Sequence, residues 1–124
     1  WGPEYITSPY GMRNHPVTGT PRFHAGIDIG ADGGTPIYAA SAGEVIYVGW
    51  QAGYGNTVMI NHGSGVGTLY GHMSSFGSFS VGDYVVPFDT IGYVGTTGVS
   101  TGNHLHFEVR LNGNHTDPQP YLNY

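Results

Sequence analysis

The sequence predicts an all-β domain with little or no helix, and three features point there. No stretch carries the 3.6-residue periodicity of an amphipathic helix. Short runs rich in Val, Ile, Tyr and Thr alternate instead with clusters of Gly, Asn and Asp. Glycine, at 22 of 124 residues, is spread along the chain, as many tight turns require. Strands are expected at residues 37–40, 43–50, 56–61, 67–73, 90–94 and 104–111. Turns are expected at Gly53-Tyr54-Gly55-Asn56, at His62-Gly63-Ser64-Gly65 and at Asn112-Gly113-Asn114. The last holds the Asn-Gly pair that suits a two-residue hairpin loop. No internal repeat or linker divides the chain, so residues 1–124 are expected to form one domain. The first residue is Trp1 rather than Met, so the domain is expected to be trimmed or excised from a longer protein.

Composition narrows the chemistry. Without cysteine there is no disulfide, no thiolate nucleophile and no sulfur ligand, so a metal here must be held by nitrogen and oxygen. Three basic residues against a net charge of −5 leave no patch able to neutralise a phosphate backbone, which excludes nucleic acid as a partner. No run approaches the roughly 18 apolar residues of a membrane-spanning helix, so membrane insertion is not expected.

The segment 104–111 is the most legible. Leu105, Phe107, Val109 and Leu111 fall on one strand face, and His104, His106, Glu108 and Arg110 on the other. The two histidines then stand about 7 Å apart along the strand. In so weakly charged a chain, a polar strand face is expected to line a groove. Glu108 reads in two ways, as a partner orienting a histidine ligand or as a solvated edge residue, and the sequence favours the second.

Upstream, His24 and Asp28 share the spacing His-x-x-x-Asp. On a straight strand they would lie about 13 Å apart, too far for one ion. Gly26 between them, with Gly30 beyond, allows the backbone to bend and bring them together. Imidazole and carboxylate suit Zn²⁺, and three protein ligands with one open position mark a catalytic rather than a structural site. The spacing leaves open whether His104, His106 or both would complete the set. His72, in Tyr70-Gly71-His72-Met73, is a further candidate. Alternation gives it the face of Thr68 and Tyr70, and Gly71 leaves room for close approach by a ligand or a neighbouring backbone. His15, His62 and His115 read as ordinary structural histidines.

Taken in order, these motifs resemble the lysostaphin-like (LytM-type) zinc peptidases. The resemblance runs from Ser8-Pro9-Tyr10-Gly11-Met12-Arg13 to the Asp117-Pro118 segment. It rests on Phe23-His24-Ala25-Gly26-Ile27-Asp28-Ile29-Gly30, Thr35-Pro36-Ile37-Tyr38-Ala39-Ala40, the stretch 53–63, Thr68-Leu69-Tyr70-Gly71-His72-Met73 and the stretch 98–108. It implies a mostly antiparallel β-sheet or sandwich domain, with loops walling a narrow groove. It also implies one Zn²⁺ held by His24, Asp28 and His106, with His104 and His72 as the catalytic non-ligand histidines. In that scheme His104 takes a proton from the attacking water and His72 stabilises the oxyanion. The ten tyrosines suit either a peptide-binding groove or packing of the sheets, and Tyr54, whose turn carries part of the resemblance, is the candidate substrate-binding residue. The implied function is endopeptidase cleavage of stem or cross-bridge peptides of bacterial peptidoglycan. The protein would act as a monomer at the cell wall, secreted or carried by a phage particle. Two departures stand out. Asn103 replaces a usual Pro, and Val86-Pro87-Phe88-Asp89-Thr90 replaces a Lys- and Gly-containing turn. Two other classes compete: a non-catalytic peptidoglycan-binding or amidase-regulating module of the same fold, and a carbohydrate-binding β-sandwich. The first usually lacks metal ligands that this chain keeps, and the second gives no reason for the four His and Asp residues to occur together.

Overall fold

The computed structural model describes residues 6–8, 10–14, 21–24, 26–97 and 104–116. They contain twelve strands and, among the described residues, no helix. The strands are β1 (Ile6–Ser8), β2 (Gly11–Asn14), β3 (Pro21–His24), β4 (Ile27–Gly30), β5 (Pro36–Tyr38), β6 (Gly43–Gln51), β7 (Gly55–Gly63), β8 (Val66–Phe76), β9 (Tyr84–Val85), β10 (Thr90–Val94), β11 (His104–Leu111) and β12 (Asn114–Thr116). All pairings are antiparallel, as expected. One sheet runs in the order β1-β4-β11-β8-β7-β6-β9, with β5, β10 and β12 branching from it, and β2 with β3 forms a separate hairpin.

Strands β6, β7, β8, β10 and β11 appear where the alternating runs predict them. The two tight hairpins follow from their turn residues. Ser64 and Gly65, at φ 53° and 79°, close β7 onto β8. Asn112 and Gly113, at φ 53° and 86°, close β11 onto β12. Both are two-residue loops with two positive φ angles, the geometry that matches strand twist and favours Asn and Gly.

One face of the sheet is the core. Ile27 and Ile29 of β4, Val58 and Ile60 of β7, Tyr70 of β8, and Leu105, Phe107 and Val109 of β11 are buried in a single apolar cluster. The cluster extends through Ile37, Val45, Val85, Ile91 and Val94 of the flanking strands. The Tyr70 hydroxyl is fully buried and fully partnered. It accepts the Ala40 amide at 3.0 Å and lies 2.8 Å from the Thr68 hydroxyl. Burial, partly offset by those two bonds, pushes its pKa up to about 12. Thr68 in turn meets Nε2 of His62, whose Nδ1–H donates to Ala42 O at 2.8 Å. His62 is thus a structural histidine that ties the loop before β6 to β8. His115 meets the Tyr10 hydroxyl at 3.0 Å.

The polar face of β11 is the opposite one, and it positions everything that follows.

Candidate metal and catalytic site

The pairing of β11 sets the site. His106 lies directly across from Asp28 on β4 and from Gly71 on β8, and His104 lies across from Gly30. Directly paired residues share a face, so Asp28, His104 and His106 emerge together on the side away from the core. His106 Nδ1 is 3.1 Å from Asp28 Oδ1, and His104 Nε2 is 3.5 Å from the same oxygen.

The bend anticipated at Gly26 is present. His24 ends β3 in the small hairpin, whereas Asp28 lies in β4 of the main sheet. Gly26 is required there by close packing, since a Cβ would run into the Phe107 carbonyl and would stand 2.8 Å from Glu108 Cγ. The side chain of His24 lies outside the described residues, as does Asn103. Among the described residues no group of three His, Cys, Asp or Glu side chains forms a metal cluster. Two of the three expected ligands, Asp28 and His106, are therefore visible together.

The chemistry of this pair fits a cation. His106 Nε2 donates to Glu108 Oε2 at 2.8 Å, so its Nδ1 carries the lone pair whenever the ring is neutral. That nitrogen faces a carboxylate oxygen at 3.1 Å, and two acceptors at this distance need a proton or a metal ion between them. Burial pulls the His106 pKa down, but its bonds to Asp28 and Glu108 outweigh this and leave it raised. Positive charge is favoured at that point, whichever species supplies it.

His72 departs from the alternation expected of it. A residue on the face of Thr68 and Tyr70 would point into the core, because Tyr70 pairs with Phe107 and packs against it. Instead the β7–β8 register slips between Asn56 and Val58, so three steps along β8 match two along β7. His72 takes a left-handed φ of 61°. This bulge turns the ring to the other face, where it meets His104 and His106 edge-on at centroid distances of 4.9 and 5.9 Å. Bulges beside active sites commonly re-aim a side chain in this way. The strained backbone is held by the His72 amide donating to Tyr54 O at 2.6 Å.

The His72 ring is also fixed. Its Nδ1–H donates to Thr97 O at 2.7 Å, leaving Nε2 toward the other histidines. Thr97 is itself pinned, its hydroxyl donating to Met73 O at 2.6 Å and accepting the Asn56 amide at 3.1 Å. Burial lowers the His72 pKa, with the charges of His104 and His106 adding to it against the Thr97 and Asp28 contacts. These effects favour a neutral ring, whose Nε2 is then an acceptor. Sequence reading did not find Thr97, since its service is through a backbone oxygen.

Glu108 is a correction. The sequence favoured a solvated edge residue, yet Glu108 is fully buried. The polar face of β11 is not exposed at this point because the turn before β7 lays Tyr54 over it. The Tyr54 ring stands 5.3 Å from His106 at 35°, and its hydroxyl lies near Glu108 and Arg110. Arg110 donates to Glu108 Oε1 through Nε at 2.9 Å and Nη2 at 2.8 Å. Burial alone would push the Glu108 carboxyl up, but the His106 hydrogen bond, the nearby Tyr54 hydroxyl and the neighbouring positive charges hold it at about 2. The i, i+2, i+4 spacing of His106, Glu108 and Arg110 was the signal that could have revealed this chain of contacts. Beyond Arg110 the same face continues into a cleft of about 310 Å³, floored by Ile46, Met59 and Leu69.

With this geometry in view, the comparisons are direct. Residues 22–118 match the family model described as Peptidase family M23. The DD-carboxypeptidase/endopeptidase Mpg of Neisseria meningitidis is 50% identical over 113 residues, covering 91% of this chain and 26% of that protein. Among solved structures, a zinc-containing peptidase from Vibrio cholerae superposes with a TM-score of 0.82 at 37% identity, over 90% of this chain and 35% of that one. The catalytic domain of lysostaphin from Staphylococcus simulans gives 0.82 at 34% identity, over 91% of this chain and 87% of that domain. The chain spans about a quarter of the length of the curated relatives it matches.

Proposed function

Because this chain belongs to peptidase family M23, we propose that it is a zinc-dependent endopeptidase cleaving peptidoglycan peptides at bonds that follow a D-residue. The observation that carries this reading is the convergence of Asp28, His104, His106 and His72 on one sheet face. The D-specific bond is favoured over a glycine bridge because the 50%-identical relative is named a DD-carboxypeptidase/endopeptidase and a 41%-identical relative from Vibrio cholerae a peptidoglycan DD-endopeptidase. Lysostaphin is more distant, at 38%.

His24, Asp28 and His106 would hold the zinc, His106 through Nδ1. When bound, the ion supplies Lewis acidity, acidifying water and polarising a carbonyl. The remaining work belongs to the two other histidines. With Nδ1–H committed to Thr97, neutral His72 can only accept at Nε2, and it donates there once protonated. It therefore suits receiving a proton from the attacking water and then, as a cation, stabilising the oxyanion. His104, 4.9 Å away by ring centroid, is placed to exchange a proton with the water or the leaving amine. The sequence-based roles put the first proton on His104, and the Thr97 bond supports sharing that task with His72. We further propose that residues 1–124 act as one monomeric unit at the bacterial cell wall.

The test is digestion of purified cross-linked muropeptide dimers and of pentaglycine-bridged walls by the zinc-loaded chain, read by mass spectrometry. Chelator-sensitive conversion of the D-alanine-linked dimer to monomers supports the reading. Cleavage of the glycine bridge alone, or none with zinc bound, overturns it.

A further inference from the structure

We propose that Tyr54, Glu108 and Arg110 are positioning residues that fix the ring of His106 for metal binding, with Tyr54 serving the metal site rather than the substrate. This rests on the reading of His106 as a zinc ligand.

Glu108 is fully buried, and such a carboxylate persists only where its lone pairs are satisfied. Its oxygens are divided. Oε2 takes His106 Nε2–H at 2.8 Å, and Oε1 takes both donors of Arg110. Arg110 is partly exposed and balances the charge of Glu108, so the carboxylate can accept the imidazole proton without removing it. A carboxylate behind a ligating histidine fixes the tautomer, sets the ring plane and raises the basicity of the ligating nitrogen. Here it leaves Nδ1 facing Asp28.

Tyr54 completes the arrangement with three contacts. Its ring covers His106, its hydroxyl lies near Glu108 and Arg110, and its carbonyl accepts the His72 amide. Tyr54 packs over Gly71, where an added Cβ would stand in ordinary contact with it at 3.4–3.5 Å. One turn residue thus braces the histidine proposed to bind zinc and the one proposed to move protons. A hydroxyl placed beside Glu108 and Arg110 is less available to a substrate peptide.

The experiment compares Glu108→Ala, Glu108→Gln and Tyr54→Phe in the full chain, with folding checked by circular dichroism. Zinc affinity is read by competition with a chromophoric chelator. The Hε2 resonance of His106 is followed by NMR in the metal-free protein, and kcat and KM are measured separately. Loss of the acceptor in Glu108→Ala should weaken zinc binding about 10–100-fold and abolish the exchange-protected Hε2 signal. Gln keeps an acceptor for His106, so Glu108→Gln should retain the signal and most of the affinity. Tyr54→Phe keeps the ring and folds most readily. It should weaken zinc binding several-fold and lower kcat with KM unchanged. The proposal is overturned if the Hε2 signal persists in Glu108→Ala, or if Tyr54→Phe raises KM while zinc affinity stays at the wild-type value. The NMR readout needs no metal, so a wild-type chain that fails to bind zinc would sink the proposed function and still leave the His106–Glu108 pairing decided on its own signal.

Discussion

Replacing Gly26 with Ala tests how the site is assembled. The residue lies between β3 and β4, where the chain passes from the hairpin that ends in His24 to the strand that carries Asp28. An added Cβ would overlap the Phe107 carbonyl oxygen and approach Glu108 Cγ to 2.8 Å. Neither neighbour can give way easily. The carbonyl is part of β11, which pairs with β4 at Phe107–Ile27 and His106–Asp28, and Glu108 is held by His106 and Arg110. The strands must therefore separate. Overpacking of this kind costs about 1–3 kcal/mol. For a domain of this size that lowers the melting temperature by roughly 4–15 °C. The same movement carries Asp28 away from His106, so zinc affinity should fall together with stability. A misplacement near 1 Å would also cost about 100-fold in rate. Gly49→Ala is the control, because its nearest new contact is the Tyr47 hydroxyl at 3.6 Å. Thermal melts and zinc competition on both variants decide the matter. A Gly26→Ala protein that melts and binds zinc like the wild type would refute the reasoning.

Other outcomes follow from the same geometry. His72→Ala and His104→Ala should each lose about 10²–10⁴-fold in kcat while keeping stoichiometric zinc, measured by elemental analysis; loss of metal in either would mark it as a ligand. Tyr70, with a pKa raised from 10.0 to about 12, holds its full contribution below pH 10 and loses it as pH rises through 12. Two units correspond to about 2.7 kcal/mol, so denaturant midpoints should fall across that window in the wild type and less in Tyr70→Phe. Removing zinc with a chelator should abolish cleavage, and adding one equivalent back should restore it; activity that persists in metal-free protein would contradict the assignment.

What the sequence revealed, and what it hid, has physical causes. The long strands β6, β7, β8 and β11 were legible from their runs of Val, Ile, Tyr and Thr bounded by turn residues, and β11 also from the alternation of apolar and polar residues along it. Strands β1 to β4 are three or four residues long, too short for a period-two pattern to show, and β4 was masked by the metal motif it contains. The two residues of β9 and the polar Asn114–Thr116 of β12 have no apolar stripe at all, and both are ordered by a neighbouring strand. The pairing of His106 with Asp28 depends on register between residues 78 apart, which no local pattern encodes. His72 was found by its motif and misdirected by alternation, since a bulge shifts the phase of a strand without changing its composition. Glu108 was misread because a polar residue on a polar face looks solvated until another element covers it. Here the cover is Tyr54, from a turn more than fifty residues earlier.

The position of the metal decides between a catalytic centre at Asp28 and His106 and any other arrangement of these side chains. Crystals of the chain grown with zinc, with diffraction recorded on either side of the zinc absorption edge, would locate it without reference to activity. The predicted anomalous peak lies between Asp28 and Nδ1 of His106, with His24 as the third protein ligand and His104 and His72 beyond bonding distance. A peak bonded to His104 in place of His106, or no peak between Asp28 and His106, would contradict it.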